Sequence, residues 1–504
     1  MPWFSLVCKS RKHRFRPRKW SLWTTLTVLT MLLVGLLQSP SFATETAKHY
    51  DELEFPPLPE LQFPDYEHFT LDNGMDVYLM EDRELPLVSG RALIHAGDRF
   101  EPANKVGLAS LTGEVMRTGG TQTHTPDELN QLLEQRAASV ETSIGTTAGS
   151  AYFSALSEDL EQVFDVFVEV LREPTFAPDK LEVAKTQRRG NISRRNDDPN
   201  DIASREFRKL IYGSSNPYAR TTEYTTINNI TRDDLVDFYQ KYYHPNNTIL
   251  GIVGDFDAAE MRSLLQAKLG DWSANPNLDL PAKPNVSQAH QSSIYMVDRP
   301  QLTQSYVQLG HLGGQLSNPD YAALDVMNGV LNGFGGRLFN EVRSDRGLAY
   351  SVYAAWSARY DYPGMFIAGG QTRSEATVPF INVVRQEIER LRQEPITTDE
   401  LNYAKDSTLN SFIFNFEDPS QTLSRLMRYD YYDYPEDFIF QYRREVENTT
   451  IEDVQRVAQE YLNPDQLVTL VVGSLEAIEP PLTALPNSDK VTSIDVSIPE
   501  PPSS

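Results

Sequence analysis

Two stretches of this 504-residue chain decide its organisation: Thr231-Arg-Asp-Asp234 through Tyr242-Tyr-His-Pro245 to Val253-Gly254, and Thr450-Ile-Glu-Asp453 through Tyr461-Leu-Asn-Pro464 to Val472-Gly473. Every matched pair in them, from Thr231/Thr450 to Gly254/Gly473, is separated by the same interval, and Asp198-Pro199 recurs as Asp418-Pro419 at an interval only one position longer. A near-constant offset across several elements marks a duplication, and its length is far beyond any solenoid repeat. Each copy is locally legible. Thr231 or Thr450 caps a helix whose first turn is acidic, which suits the helix dipole. Pro245 or Pro464 ends the chain's helical run, and an apolar strand follows, Thr248–Val253 or Leu467–Val472. Working outward, Met75–Met80 after Asp72-Asn73-Gly74 reads as a turn and strand, while Leu160–Leu171 and Val378–Leu391 read as helices. The class is α+β: two homologous domains, each with helices packed on a largely antiparallel sheet.

The domains are expected at 66–273 and 289–478, joined by a Pro- and Ser-containing linker at 274–288. An acidic, Pro-rich leader at 44–65 precedes them, and a tail at 479–504, rich in Pro and Ser, is expected to be disordered. Residues 1–43 have the parts of a secretory signal: basic residues from Lys9 to Lys19, an apolar run from Leu22 to Leu37, and the small-residue exit Ser41-Phe42-Ala43. Export to a periplasm or other extracytoplasmic compartment follows, the alternative being an uncleaved N-terminal membrane anchor. The only cysteine, Cys8, precedes the apolar run, so a mature chain would have no disulfide, thiol nucleophile or Cys-ligated zinc.

Hydrophobic residues make up 40% and charged residues 23%, which excludes collagen, low-complexity polymer and disulfide miniprotein. The 46 basic and 70 acidic residues give a net charge of −24. All seven charges before residue 44 are basic, so the remainder carries about −31. Such a surface repels phosphate backbones, and nucleic acid is not expected as a partner. Basic or unfolded polypeptide would be tolerated or attracted.

The second half carries Gly335-Gly336-Arg337-Leu338-Phe339-Asn340-Glu341-Val342-Arg343, then Arg346-Gly347-Leu348-Ala349-Tyr350. The first half carries Gly107-Leu108-Ala109, Gly119-Gly120-Thr121 and Asn196-Asp197-Asp198-Pro199 through Tyr212-Gly213 to Pro217-Tyr218. Together these resemble the pitrilysin/insulinase metallopeptidases, the inverzincins, and especially the short two-domain members similar to mitochondrial processing peptidase. The resemblance spans roughly 64–475 and implies that the chain forms half of a clam-shell chamber.

In that family the helix after Gly-Leu-Ala carries H-x-x-E-H, whose histidines bind zinc on one helix face while the glutamate activates the bound water. Laid on this chain, the first His position is Ser110, the Glu is Gly113 and the second His is Glu114. The third ligand, a glutamate in the family, falls on Asn191. Only Glu114 could bind a cation, and one carboxylate makes no zinc site. None of the eight histidines forms an i,i+4 or H-x-H pair, and no G-x-S-x-G elbow occurs. The expectation is therefore no cofactor and no catalytic residue in this chain alone. By contrast, the family's substrate-reaching arginine and tyrosine fall on Arg343 and Tyr350, and Gly333, Gly335 and Gly336 match its glycine-rich loop. Against a role for that pair stands a reading of both as buried anchors of a helix-to-strand turn, and the loop could be a simple turn.

The resemblance implies a non-catalytic subunit of a heterodimeric zinc peptidase. Zinc would reside in a homologous H-x-x-E-H partner, and the substrate would be a peptide or unfolded polypeptide. Two alternatives stay open: a non-enzymatic scaffold or peptide-binding protein of the same fold, and a peptidase with unorthodox metal ligation.

Overall fold

The computed structural model describes residues 61–486 and 491–500. The signal segment and leader residues 44–60 lie outside the described residues. Each half holds a six-stranded mixed sheet. In the first, β1 (Glu67–Thr70), β2 (Asp76–Glu81), β3 (Leu87–Ile94), β4 (Ser139–Ile144), β5 (Gly149–Leu156) and β6 (Thr248–Gly254) are ordered β1-β2-β6-β3-β5-β4. In the second, β7 (Ile294–Asp298), β8 (Gln304–Leu312), β9 (Ala349–Ser357), β10 (Met365–Arg373), β11 (Val468–Gly473) and β12 (Val491–Ser493) are ordered β12-β7-β11-β8-β10-β9. Five strands correspond one to one, and in both sheets the repeat strand (β6 or β11) runs parallel to its outer neighbour and antiparallel to its inner one. The duplication inferred from the constant sequence offset is thus a duplication of topology.

The local signals behave alike in both copies. Thr231 and Thr450 form full capping boxes with Asp234 and Asp453. Asp198 and Asp418 each cap the helix that begins at the following proline, accepting from Asn200 N and Ser420 N at 2.8 Å. Arg205 and Arg425, farther along those helices, donate at 2.8 Å to the upstream carbonyls Arg195 O and Asn415 O respectively.

These two Asp-Pro helices change sides. Pro199–Tyr212 places Ile202, Phe207 and Ile211 against Val468, Leu470 and Val472 of the second sheet. Pro419–Tyr431 places Leu423, Leu426 and Met427 against Tyr78, Met80 and Ile249 of the first. Each half's own helices, such as Leu160–Arg172 and Thr377–Gln393, cover the opposite face of their own sheet. With both faces covered, β6 and β11 are buried at every residue and read as continuous apolar runs instead of alternating ones. Gly251 in mid-β6 marks the closest approach: a Cβ there would lie 2.2 Å from the Met427 sulfur.

Residues 274–288 contain neither helix nor strand and run between the halves. The tail departs from the expectation of disorder beyond 479. Val491–Ser493 adds β12 parallel to β7, and Ile494 N donates to Met296 O at 2.8 Å. Beyond the strand, Ile494 and Val496 join the apolar layer between the halves, Ile498 packs on the first half's core, and Asn196 Nδ2 donates to Val496 O at 2.6 Å. The alternation Ile494-Asp-Val496-Ser-Ile498 explains this, because period two presents one apolar edge along an extended chain.

Candidate functional site

The helix Leu108–Thr118, on which the resemblance lays the family's metal-binding positions, is packed shut. Gly113 lies against the edge strand β4: a Cβ there would meet Ile144 N at 2.5 Å and the Ser143 carbonyl carbon at 2.7 Å. Thr142 Oγ1 donates to Gly113 O at 2.5 Å, pinning strand to helix. Read from sequence, glycine inside this helix is only a loss of about 1 kcal/mol relative to alanine. In the fold it is the residue that lets the strand backbone touch the helix.

The other three positions are equally committed. Ser110 Oγ donates to Gly107 O at 3.1 Å, one turn back in its own helix. Glu114 pairs with Arg188 of the neighbouring helix Pro178–Arg194, Nη2 to Oε2 at 2.7 Å. Asn191 lies one turn beyond Arg188 and is exposed. The helices that would have shared a metal are joined by an ion pair, with a guanidinium as the cation facing Glu114. A neutral hydroxyl, a glycine, a paired carboxylate and an exposed amide do not fit a zinc ion. Among the described residues, no group of three or more His, Cys, Asp or Glu side chains is placed to hold a metal.

Glu101 holds the start of the same helix, accepting from Gly107 N at 2.9 Å and Ala109 N at 3.0 Å. Burial pushes its carboxyl up to about 7 despite those two donors. His95 stacks on Tyr431 of the second half with ring centroids 4.0 Å apart, and burial lowers it to about 4. Neither residue is singled out by sequence reasoning. The only signal for Glu101 is an acid shortly before a glycine-led helix.

The second-half motif is open by contrast. Phe339–Asp345 forms a π-helical turn, an uncommon geometry often associated with functional sites. It brings Arg343 over the rings of Phe339 and Tyr350, with guanidinium carbon to centroid distances of 4.8 and 4.6 Å. Tyr350, near the start of the edge strand β9, is 82% exposed, which does not fit the reading of it as a buried anchor. Arg343 and Tyr350 line one cleft of about 480 Å³ with Gln304, Gln371 and Arg373. The glycine-rich loop is braced from the helix Thr398–Ser411: Gly335 N donates to Tyr403 Oη at 3.2 Å, and Arg337 forks onto Glu400 at 2.6 and 3.2 Å. Burial raises Glu400, but Arg337 and the Thr397 backbone outweigh it and hold the carboxyl at about 2. Phe334, at the loop's tip, is 81% exposed.

Known proteins resemble this chain over most of its length. Residues 77–226 match the model of the insulinase family, peptidase family M16, and residues 229–408 match that of the peptidase M16 inactive domain. A Bacillus subtilis protein named uncharacterized zinc protease YmxG is 24% identical over 71% of this chain and 86% of its own length. The Helicobacter pylori non-peptidase homolog YmxG is 23% identical over 78% of this chain and 90% of its own. The crystal structure of a peptidase M16 inactive domain from Pseudomonas fluorescens superposes with a TM-score of 0.71 at 27% identity, covering 83% of this chain and all of that one. With both domain models matched in order and the duplicated fold reproduced, this chain belongs to the insulinase family of peptidases, M16.

Proposed function

We propose that this chain is the exported, non-catalytic subunit of a two-chain M16 peptidase. A homologous partner with intact H-x-x-E-H supplies zinc and the general base, and this chain supplies half of the chamber together with Arg343 and Tyr350. The observation that carries the reading is a contrast within one molecule: Gly113 is closed by backbone, while Tyr350 stands 82% exposed beside an open cleft. A large ring left in solvent with Arg343 stacked against it suits a surface that meets something else. In the complex, the Arg343 fork would hold a substrate carboxylate or carbonyl, and the Tyr350 hydroxyl would donate to the oxyanion that develops on the scissile carbonyl. The substrate class is peptide or unfolded polypeptide, favoured by the acidic surface where it is basic.

The test is reconstitution with a zinc-bearing partner from the same cell, found by co-purification. Peptide hydrolysis should require both chains, and Tyr350→Phe should lower turnover roughly 10²–10³-fold, the usual loss for one oxyanion donor. Gel filtration should show an unchanged complex. Wild-type turnover by an assembled Tyr350→Phe complex would remove the catalytic role and leave the scaffold reading. Chelator-sensitive hydrolysis by the pure chain, restored by zinc, would overturn both. Fractionation of the host with detection of the mature N-terminus tests the compartment.

A further inference from the structure

The two Asp-Pro helices share more than their caps. Ser204-Arg205-x-x-Arg208-x-x-x-Tyr212 recurs in the second copy as Ser424-Arg425-x-x-Arg428-x-x-x-Tyr432. Of the repeated arginines, Arg205 and Arg425 are tied to upstream carbonyls, and Arg428 lies over the Tyr360 ring at 5.8 Å. The Arg208 side chain alone makes no hydrogen bond, ion pair or ring contact with another described residue. It lines a cavity of about 440 Å³ between the halves, where Tyr212 and Tyr432 also meet. Arg359, in the turn between β9 and β10, lines the same cavity, and its side chain is likewise unpaired among the described residues.

No carboxylate among the described residues forms a direct ion pair with either guanidinium. Asp361, a carboxylate lining the cavity, pairs through Oδ2 with Arg99 across the halves and lies 4.0 Å from Lys283, while its Oδ1 has no hydrogen-bond partner. Asp98 interacts electrostatically with Arg208, Arg99 and Arg220, although burial raises its pKa from the usual carboxylate value. Two exposed arginines without side-chain partners among the described residues therefore line one open cleft in a chain of net charge −24. The walls are aromatic: Tyr218 stacks on Tyr362 at 3.9 Å, and Tyr360 on Tyr432 at 4.7 Å. Gln308 adds a loosely held amide, its Nε2 at 3.4 Å from Ser204 Oγ and 3.5 Å from Tyr353 Oη, with Oε1 lacking a partner.

We propose that this cavity binds the α-carboxylate end of an amino acid or short peptide, with Arg208 and Arg359 on the carboxylate, the Gln308 amide on the adjacent N–H, and an aromatic side chain among the tyrosines. Guanidiniums suit a planar carboxylate, and the volume falls in the range of small-ligand pockets. An N–H one atom from the carboxylate carbon is what separates this ligand from a bare anion. The site is distinct from the Arg343–Tyr350 cleft, and its test needs no partner subunit.

Calorimetric titration of the full chain decides it, with four probes: the tripeptide Ala-Ala-Phe, its C-terminal amide, free phenylalanine and inorganic phosphate. Saturable binding of Ala-Ala-Phe or phenylalanine is expected, and the tighter of the two identifies peptide end or free amino acid as the source. The amide should bind at least ten-fold more weakly. Arg208→Met and Arg359→Met should each weaken binding at least ten-fold and together abolish it, with the thermal midpoint unchanged because neither side chain has a partner to lose. The acid-against-amide comparison on wild-type protein stands even if a variant misfolds. Three results would overturn the proposal: no saturation by either carboxylate probe up to about 10 mM, an affinity too weak for a built site; equal binding of acid and amide; or phosphate binding as tightly as Ala-Ala-Phe.

Discussion

β4 and β9 end their sheets at equivalent places in the strand order, yet one edge is sealed and the other is bare. Against β4, the helix comes so close at Gly113 that a methyl group has no room. On β9, the Tyr350 ring stands in solvent with an arginine stacked on it. At Gly113 the space a side chain would need is filled by the strand backbone. A ring that buries almost nothing contributes little to its own fold, so its exposure points outward. The difference separates what this molecule keeps for itself from what it presents.

The largest effect that probes this contrast is Gly113→Glu. Overpacking against fixed backbone, with a carboxylate buried, should destabilise by about 4 kcal/mol or more. Gly113→Ala should cost about 2 kcal/mol, whereas an ordinary helical glycine gains ~1 kcal/mol from alanine. Urea unfolding measures both, and a stabilising alanine would mean the edge is not sealed. Restoring Ser110→His, Gly113→Glu, Glu114→His and Asn191→Glu together should for the same reason yield an unstable protein without stoichiometric zinc, read by metal analysis.

Next come two groups near the sealed helix whose pH effects oppose one another. His95, lowered to about 4, stays neutral in the fold while the unfolded chain protonates near 6.5. Stability on its account falls by up to about 3 kcal/mol as pH drops from 6.5 to 4. Glu101, raised to about 7, stays protonated in the fold while the unfolded chain ionises near 4.5. Its contribution falls by a similar amount, about 3 kcal/mol, as pH rises from 4.5 to 7. Between pH 4.5 and 6.5 the two nearly cancel. Stability of Glu101→Gln should therefore climb with pH across that window, and that of His95→Gln should decline. Parallel profiles from both variants would show that neither group titrates in this way.

Smaller still is the ion pair standing where a metal would be. Both partners are partly exposed, so Glu114→Gln or Arg188→Met should cost no more than about 1 kcal/mol, and a double-mutant cycle should return a coupling of similar size. The smallest effect belongs to the bare edge: Tyr350→Ala should shift stability by less than about 0.5 kcal/mol. A loss of about 2 kcal/mol or more, the scale of a truncated core side chain, would make the tyrosine part of the fold's own support.

Much of this is legible in the residues. The constant offset between the copies carries the duplication, and the caps at Thr231 and Thr450 follow from side chains that act within one helical turn. The departures from the family's zinc motif are readable because Ser110, Gly113 and Asn191 lack the donors that the resemblance would place there. What cannot be read depends on contacts distant in sequence. Asp198-Pro199 recurs as Asp418-Pro419, but nothing in the repeat says that the helix beginning there serves the other half's sheet. Gly113 looks like a weak spot until β4 is beside it. Glu101 and Arg188 have meaning only through partners on other elements. The tail reads as disordered because its prolines and serines outweigh a short alternation that needs an open sheet edge to pair with.

The exchange of Asp-Pro helices also sets an order of events in time. The helix that covers the second sheet, Pro199–Tyr212, is synthesised before that sheet exists, so it is waiting when β11 emerges. The first sheet has no such advantage, since β6 ends at Gly254 and its cover begins only at Pro419. At ~5–20 residues per second, the outer face of a finished β6 stays bare for on the order of 10–30 s of translation. During that interval the nascent chain offers Tyr78, Met80 and Ile249 to any apolar surface in reach. A polypeptide cut within 274–288 would leave its first fragment permanently in that condition.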